Sequence, residues 1–337
     1  MRQVWIPRVG GPDVLEVRDA PDPEPGPGQV RIRVAAAGVN FADVLARMGL
    51  YPDAPPLPTV VGYEVSGTVD ALGPDVEGPP VGERVLALTR FGGYADTVVV
   101  PATQVASIGT LDFAKAAAIP VNYLTAWLML VKLGNVEAGE RVLVHAAAGG
   151  VGQAALQICR WKQARVIGTA SAGKHARLRE LGLELAVDYR NADFEQVVRE
   201  RVGEVDVVLD AVGGTSFRKS YRLLAPMGRL FMFGVSSFAP GRTRSVLAAV
   251  RGLASMPWYR PIALMNDNRG VFGVNLGHLW DRGPQLVAMI EQILALVHAG
   301  TFDPVVDETF TFTEASRAHA RLQERKNFGK VLLVPAG

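Results

Sequence analysis

The sequence predicts an α/β protein in two parts: a doubly wound parallel sheet and, before it, a smaller, mostly β domain of barrel type. Three observations carry this. First, beyond about residue 112 short apolar runs at 141–146, 165–170, 185–188, 205–210 and 228–234 alternate with segments of helical period, the rhythm of strands joined by crossover helices. Second, before residue 112 the runs are short, alternating and punctuated by glycine and proline, as in small antiparallel barrels. Third, Arg141-Val142-Leu143-Val144 leads into Ala147-Ala148-Gly149-Gly150-Val151-Gly152, a strand, a tight turn and a helix start.

Taken in order, Val14–Arg18 and Val30–Val34 alternate as half-buried strands do, with the proline-rich stretch 21–28 as an extended connection. Gly38 to Pro52 reads as a short helix with a polar entrance, and Val60–Val69, Gly82–Ala87 and Gly92–Val100 supply further strands. Ala116, Ala117, Ala118, Leu124, Ala126 and Leu128 then recur at helical spacing. Gly270–Leu276 is a sixth strand of the second sheet, residues 284–299 are an apolar-periodic helix, and Val331–Val334 is a last strand returning to the first domain. The expected division is 1–121, completed by about 300–337, against 122–299. There are no internal repeats.

Composition narrows the function. The 337 residues are 49% hydrophobic and 20% charged with a net charge of +2, values of a globular protein with no call for nucleic acid. A single cysteine leaves no intramolecular disulfide and no multi-cysteine zinc site. No signal-like segment and no run of about 18 apolar residues is visible, so a cytoplasmic location is expected.

The turn from Ala147 has the spacing Ala-x-Gly-x-x-Gly. Gly149 lets backbone approach a pyrophosphate, Gly152 lets helix pack on strand, and the free N–H groups of the helix start hold the phosphates. An NAD-preferring site places a carboxylate about 20 residues further on, to grip the ribose 2′-hydroxyl. Here Thr169-Ala170-Ser171-Ala172-Gly173-Lys174 offers none. Ser171 and Lys174, with Tyr189 after the next strand, suit a 2′-phosphate, and the expected cofactor is NADPH.

At these residues the chain resembles the zinc-free quinone oxidoreductase group of the medium-chain dehydrogenase/reductase superfamily. The matching pieces are Gly38–Asp43 with Gly49-Leu50-Tyr51-Pro52, Gly62–Gly67, and Ala146–Gly152. Pro120–Ala126 and Lys326–Pro335 look most like the synaptic-vesicle amine transport protein branch. The resemblance implies a Rossmann-type domain plus a GroES-like domain. It also implies cofactor contacts at Asn40, Thr125, Gly150, Val151, Ser171, Lys174, Tyr189, Val212, Gly234, Val235, Ser236, Phe272, Val274 and Arg325. Zinc-dependent relatives carry a cysteine near Val39 and a histidine where this chain has Tyr63. The five histidines here are scattered without ligand spacing, so no metal is expected.

Without a Lewis acid to hold an alkoxide, a conjugated acceptor is the easier substrate. Hydride added to a quinone, or to the β-carbon of an α,β-unsaturated carbonyl, moves negative charge onto oxygen, and the protein must orient the acceptor and offer that oxygen a donor. The candidates are the Asn40 amide and the Tyr51 and Tyr63 hydroxyls, with Asp43 as a brace of the 40–48 helix. Residues 238–261 mix arginines with Val246, Leu247, Val250, Leu253, Met256 and Trp258. They are expected to form a lid or wall of the substrate site, the rival being a membrane-surface helix. The edge position of 270–276 predicts a homodimer. The competing functional reading is an enzyme-derived lipid- or membrane-binding protein with little turnover.

Overall fold

A computed structural model describes residues 1–239, 241 and 245–335. The fold is α/β in two compact units, and the described residues form three sheets: a seven-stranded one, a six-stranded one and an antiparallel pair of Arg2–Trp5 with Glu16–Asp19. The first unit holds residues 1–124, 241–244 and 276–337, and the second 125–240 and 245–275. The division places the helix Gly283–His298 with the first unit, whereas the strand-helix rhythm groups it with the second.

In the first unit, seven strands run in the order 306–311, 330–334, 29–39, 64–72, 84–88 and 105–107, with 97–101 also paired to 29–39. The pairings are antiparallel except that of 306–311 with 330–334. The strand Gln29–Val39 is the spine: Val30, Ile32 and Ala37 point into a core with Val65, Val85, Tyr94 and Leu333. The C-terminal strand lies against it with Val331 opposite Val39, which carries Lys330 to the neighbourhood of Asn40.

The second unit is a six-stranded parallel sheet in the order 185–188, 165–170, 141–144, 205–210, 224–232, 270–273. The strands 165–170, 185–188 and 205–210 match the expected runs, Arg141–Val144 ends two residues before the expected 146, and Leu224–Met232 starts four residues before the expected 228. Leu143, Ile167, Val208 and Leu230 are fully or almost fully buried, the continuous apolar pattern of strands covered on both faces. Gly270–Gly273 is the edge strand, bonded on one side to Arg229–Met232. The N–H of Val274 donates to Met232 O at 2.9 Å, within its own sheet.

Residues 238–261 become the helix Val246–Ala254, and the helix Pro261–Asp267 follows. Residues 240 and 242–244 of this segment, Pro240 and Arg242 among them, lie outside the described residues. The packed lid expected there is not what the helices present. Val246, Leu247, Val250 and Leu253 are 57–66% exposed, and Trp258 is 95% exposed. The first helix is pinned through Gly252, where an added Cβ would stand 2.3 Å from the Phe238 ring. Among the described residues no helix is long and apolar enough to cross a membrane.

Candidate functional site

The second unit builds a dinucleotide cradle. The strand Arg141–Val144 ends at His145, and Ala146 takes a positive φ of 53° before the helix Gly150–Trp161 begins. Gly149 is the N-cap and supplies no side-chain bond, so the first N–H groups of the helix are left for a ligand. An added Cβ on Gly152 would stand 2.5 Å from Ala147 O and 2.6 Å from Ala146 O. Only glycine lets the helix start this close to the strand's exit. One turn on, Gln153 is 2% exposed and neither amide atom has a partner. Glycine at the close approach and an uncapped helix start fit a pyrophosphate.

Strand register brings the expected 2′-phosphate residues together. Asp188 pairs with Ala170, so Tyr189 and Ser171 leave adjacent strands at the same level. Ser171 caps the turn Ala172–Lys174 with its side chain unused for capping. Asp188 is occupied elsewhere: the Arg190 N–H (3.1 Å) and Asn191 amide (2.7 Å) donate to it, the backbone bond first in holding its carboxyl below the usual range. Arg190 lies 6.0 Å from the Tyr189 ring, adding positive charge. Val212 and Gly234 to Ser236 lie at the exits of the next two strands, tied by bonds from Ser236 N to Ala211 O (3.0 Å) and Ser237 N to Val212 O (3.0 Å). Phe272 stacks on Phe231 at 5.0 Å in the edge strand, and Thr125 is buried in the helix Pro120–Trp127.

Beneath this rim runs a polar chain that the sequence pattern did not flag. His145 lies 3.2 Å from Thr169 Oγ1 and 3.1 Å from Ser220 Oγ. Ser220 and Ser216 both donate to Asp210 Oδ2 at 2.7 Å, and the Val212 N–H donates to Asp210 Oδ1 at 2.8 Å. Burial pushes the His145 imidazole down, against the pull of Asp210. The chain ties three strand ends and fixes the turn bearing Val212.

The first unit holds a buried ionic network around the remaining candidates. Asn40 precedes the helix Phe41–Arg47, and its N–H donates to Asp43 Oδ2 at 2.8 Å, closing the helix start as a cap. Tyr94 Oη (3.0 Å) and the Gly62 N–H (3.1 Å) also donate to Asp43. Burial nevertheless pushes its carboxyl up to about 7. The Asn40 amide is committed: Nδ2 donates to Glu64 Oε1 at 2.9 Å and Oδ1 accepts from Lys330 Nζ at 2.6 Å. Lys330 is ion-paired with Glu64, both at most 2% exposed, and Glu64 Oε2 takes the Val121 N–H at 2.7 Å. A Cβ on Gly38 would stand 2.4 Å from Glu64 Oε1, so glycine there makes room for the pair. Arg47, fully buried, donates to Gly10 O (3.2 Å) and Gln323 Oε1 (2.5 Å). Burial brings its guanidinium down to about 10.

Tyr51 and Tyr63 meet edge to face at 6.4 Å, and Phe91 and Trp280 stand 5.2 and 6.0 Å from the Tyr63 ring. Burial raises the pKa of both phenols, that of Tyr63 by far the more, so both are donors across the physiological range. Arg325 sits in this unit at φ 57°, half-buried. Glu64, Lys330 and Trp280 escaped sequence reasoning. The available signal was a glutamate inside the apolar run Val60–Val69. Among the described residues no group of three or more His, Cys, Asp or Glu side chains could hold a metal.

Fold and sites together define a two-domain nucleotide-dependent dehydrogenase/reductase. Residues 26–110 match the family described as "Alcohol dehydrogenase GroES-like domain" and residues 181–333 that described as "Zinc-binding dehydrogenase". The chain is 40% identical over 303 residues to the human "Synaptic vesicle membrane protein VAT-1 homolog", covering 89% of this chain and 77% of that one. The structure of Escherichia coli quinone oxidoreductase complexed with NADPH superposes with a TM-score of 0.88 at 28% identity, over 99% of this chain and all of that one. The CurK enoyl reductase structure gives 0.85 at 28%, over 99% of each. This chain belongs to the medium-chain dehydrogenase/reductase superfamily, in the branch that holds the VAT-1 homologues and the quinone oxidoreductases.

Proposed function

We propose that this protein is an NADPH-dependent, zinc-independent reductase of quinones or α,β-unsaturated carbonyls. The observation that carries the reading is the cradle at Gly149–Gly152, with Ser171 and Tyr189 side by side by register and no carboxylate at the end of strand 165–170. Bound NADPH supplies a hydride, and the acceptor takes one proton besides. This chain's part is to bind the pyrophosphate on the helix start, hold the 2′-phosphate with Ser171, Lys174 and Tyr189, and orient the acceptor. Tyr51 and Tyr63, protonated at neutral pH, are the donors for the oxygen that gains charge. Asn40, its amide spent on Glu64 and Lys330, supports the fold around them. Activity is expected to survive exhaustive chelation. The test is a panel of quinones, enones and enoyl thioesters with NADPH and NADH. Turnover with NADPH and a quinone or enone supports the reading, and no nucleotide oxidation with any acceptor overturns it.

One observation favours a second reading, binding to a membrane surface. The helices Val246–Ala254 and Pro261–Asp267 expose Leu253 at 66%, Ile262 at 73% and Met265 at 74% beside Arg251 and Arg260, apolar and basic together as interfacial helices are. Saturable sedimentation with anionic vesicles, without turnover, would support it. The free side of strand 270–273 supports a homodimer built by pairing that edge with its twofold mate. Light scattering tests this, and a monomeric mass at micromolar concentration removes it.

A further inference from the structure

The turn after Tyr51 brings a carboxylate back to its hydroxyl. Pro52 sits second in the turn Tyr51–Ala54, where its fixed φ suits, and the Ala54 N–H closes the turn on Tyr51 O at 3.2 Å. Burial raises the Tyr51 pKa, and two side-chain hydrogen bonds act on it in opposite directions: the bond with Tyr63 lowers it and the bond with Asp53 raises it. A donor aimed at a phenol oxygen favours the phenolate, whereas a phenol that shares its proton with a carboxylate loses a bond on ionising. Tyr51 therefore accepts from Tyr63 and donates to Asp53. The Asp53 carboxylate is shared in turn. Its Oδ2 lies 2.9 Å from His278 Nε2, and the two side chains are 32% and 64% exposed. His278 ends the turn Leu276–His278, which is anchored by the buried Leu276 on one side and by Trp280, 6.0 Å from the Tyr63 ring, on the other. Tyr63, Tyr51, Asp53 and His278 are thus one chain of hydrogen bonds from a buried phenol to solvent, all within the first unit.

We propose that Asp53 and His278 return a proton from solvent to Tyr51 after each turnover. The proposal rests on the reductase reading, with Tyr51 as a donor, and adds how that donor is recharged. In one turnover the acceptor takes a hydride with its electron pair from the bound nucleotide, and a proton from Tyr51 as the O–H bond breaks. The phenolate left behind stands near two carboxylates, Asp53 and Asp43, and both oppose its charge. It takes a proton from Asp53, Asp53 takes the Nε2 proton of the His278 imidazolium, and the imidazole takes one from water. One solvent proton is consumed, as the reduction requires. Tyr63 keeps its own proton, because burial and the bond it gives to Tyr51 push its phenol up. Its part in the relay is to hold the Tyr51 oxygen.

Asp53→Asn and His278→Gln test it, since each keeps a polar side chain and removes the group that passes the proton. Stopped-flow traces follow NADPH oxidation by 1,4-naphthoquinone in the first turnover and in the steady state, with and without added imidazole. Tyr51 carries its proton into the first turnover, so both variants should match wild type there. Each later turnover needs a new proton, and the steady-state kcat should fall about tenfold with KM little changed. That is less than the roughly 10²–10⁴-fold contributed by a positioned acid itself, because water still reaches the half-buried phenol. Imidazole, a mobile acid, should restore part of kcat in both variants and leave wild type unchanged. A packing role would slow the first turnover and would not be rescued. A slowed first turnover, an unchanged steady state or no rescue overturns the proposal, as does a Tyr51→Phe variant that matches wild type in both phases. If wild type turns over while Asp53→Asn and His278→Gln match it, the relay falls and the reductase reading stands. If wild type oxidises no NADPH with any quinone or enone, the reductase reading falls and the relay falls with it.

Discussion

The two units bury polar groups in opposite ways. In the first, Asp43, Arg47, Glu64 and Lys330 are at most 2% exposed and lie deep in the domain. Their partners are distant in sequence: Asn40 with Lys330, Arg47 with Gln323, Tyr94 with His319. In the second, the interior is apolar, and the buried polar chain His145–Thr169–Ser220–Asp210 sits at the strand exits beside the glycine turn. Buried charge is tolerated when every partner is present. The first unit therefore depends on contacts that only the finished fold supplies. The second builds its site from backbone and short-range turns, and spends polar side chains on aiming them.

The sharpest way to break this comparison is Lys330→Met. It leaves the Glu64 carboxylate in the interior with the Asn40 amide and Val121 N–H but no cation. Removing one partner of a buried ion pair costs about 3–5 kcal/mol. Urea unfolding should show that loss, with part of it recovered when Glu64→Gln is added. A variant as stable as wild type would mean that the pair is dispensable.

Gly152→Ala tests the second unit on its own terms. The new Cβ meets two backbone carbonyls, Ala147 O at 2.5 Å and Ala146 O at 2.6 Å, and neither can swing aside as a side chain would. The helix start has to shift, at about 1–3 kcal/mol, and the larger consequence should be weaker NADPH binding, read by fluorescence titration. Unchanged nucleotide affinity would show that the close approach is not used.

Smaller and more selective is Lys174→Ala. Loss of one charge-assisted phosphate contact should weaken NADPH by roughly 1.5–3 kcal/mol and leave NADH nearly untouched. Equal losses for both nucleotides would take the 2′-phosphate away from Ser171, Lys174 and Tyr189.

The same contrast explains what could be read in advance. The cradle was legible because its signal is local: Gly149 and Gly152 lie within a few residues of the strand they serve, and the missing carboxylate is a fixed count further on. The parallel sheet was legible because strands buried on both faces are continuous apolar runs. The network of the first unit was not. Glu64 and Lys330 are 266 positions apart, and only the register of Val331 on Val39 brings Lys330 beside Asn40. Trp280, which no sequence motif singles out, joins Tyr63 through tertiary packing alone. The arginine-rich segment misled for another reason: helical spacing of Val246, Val250 and Leu253 shows that one face is apolar, not that anything covers it.

The finest test concerns Asp43, the fully buried carboxylate of the first unit. Three donors favour its ionised form, yet full burial holds its carboxyl at about 7, against 3.8 for an ordinary aspartate. The fold thus keeps a proton that the unfolded chain has already lost. Below about pH 4 both states are protonated and the group contributes no pH dependence. Between pH 4 and 7 rising pH favours the unfolded chain, and above 7 the cost is constant. Asp43→Asn does not titrate and loses an acceptor oxygen, so it should be less stable than wild type throughout. Its deficit should be largest near pH 4 and shrink by roughly 1.4 kcal/mol per pH unit towards pH 7. Urea unfolding of both proteins at pH 5 and pH 7.5 reads the difference directly. A deficit that stays level or widens with pH would mean that the Asn40, Gly62 and Tyr94 donors outweigh burial and keep Asp43 ionised in the fold.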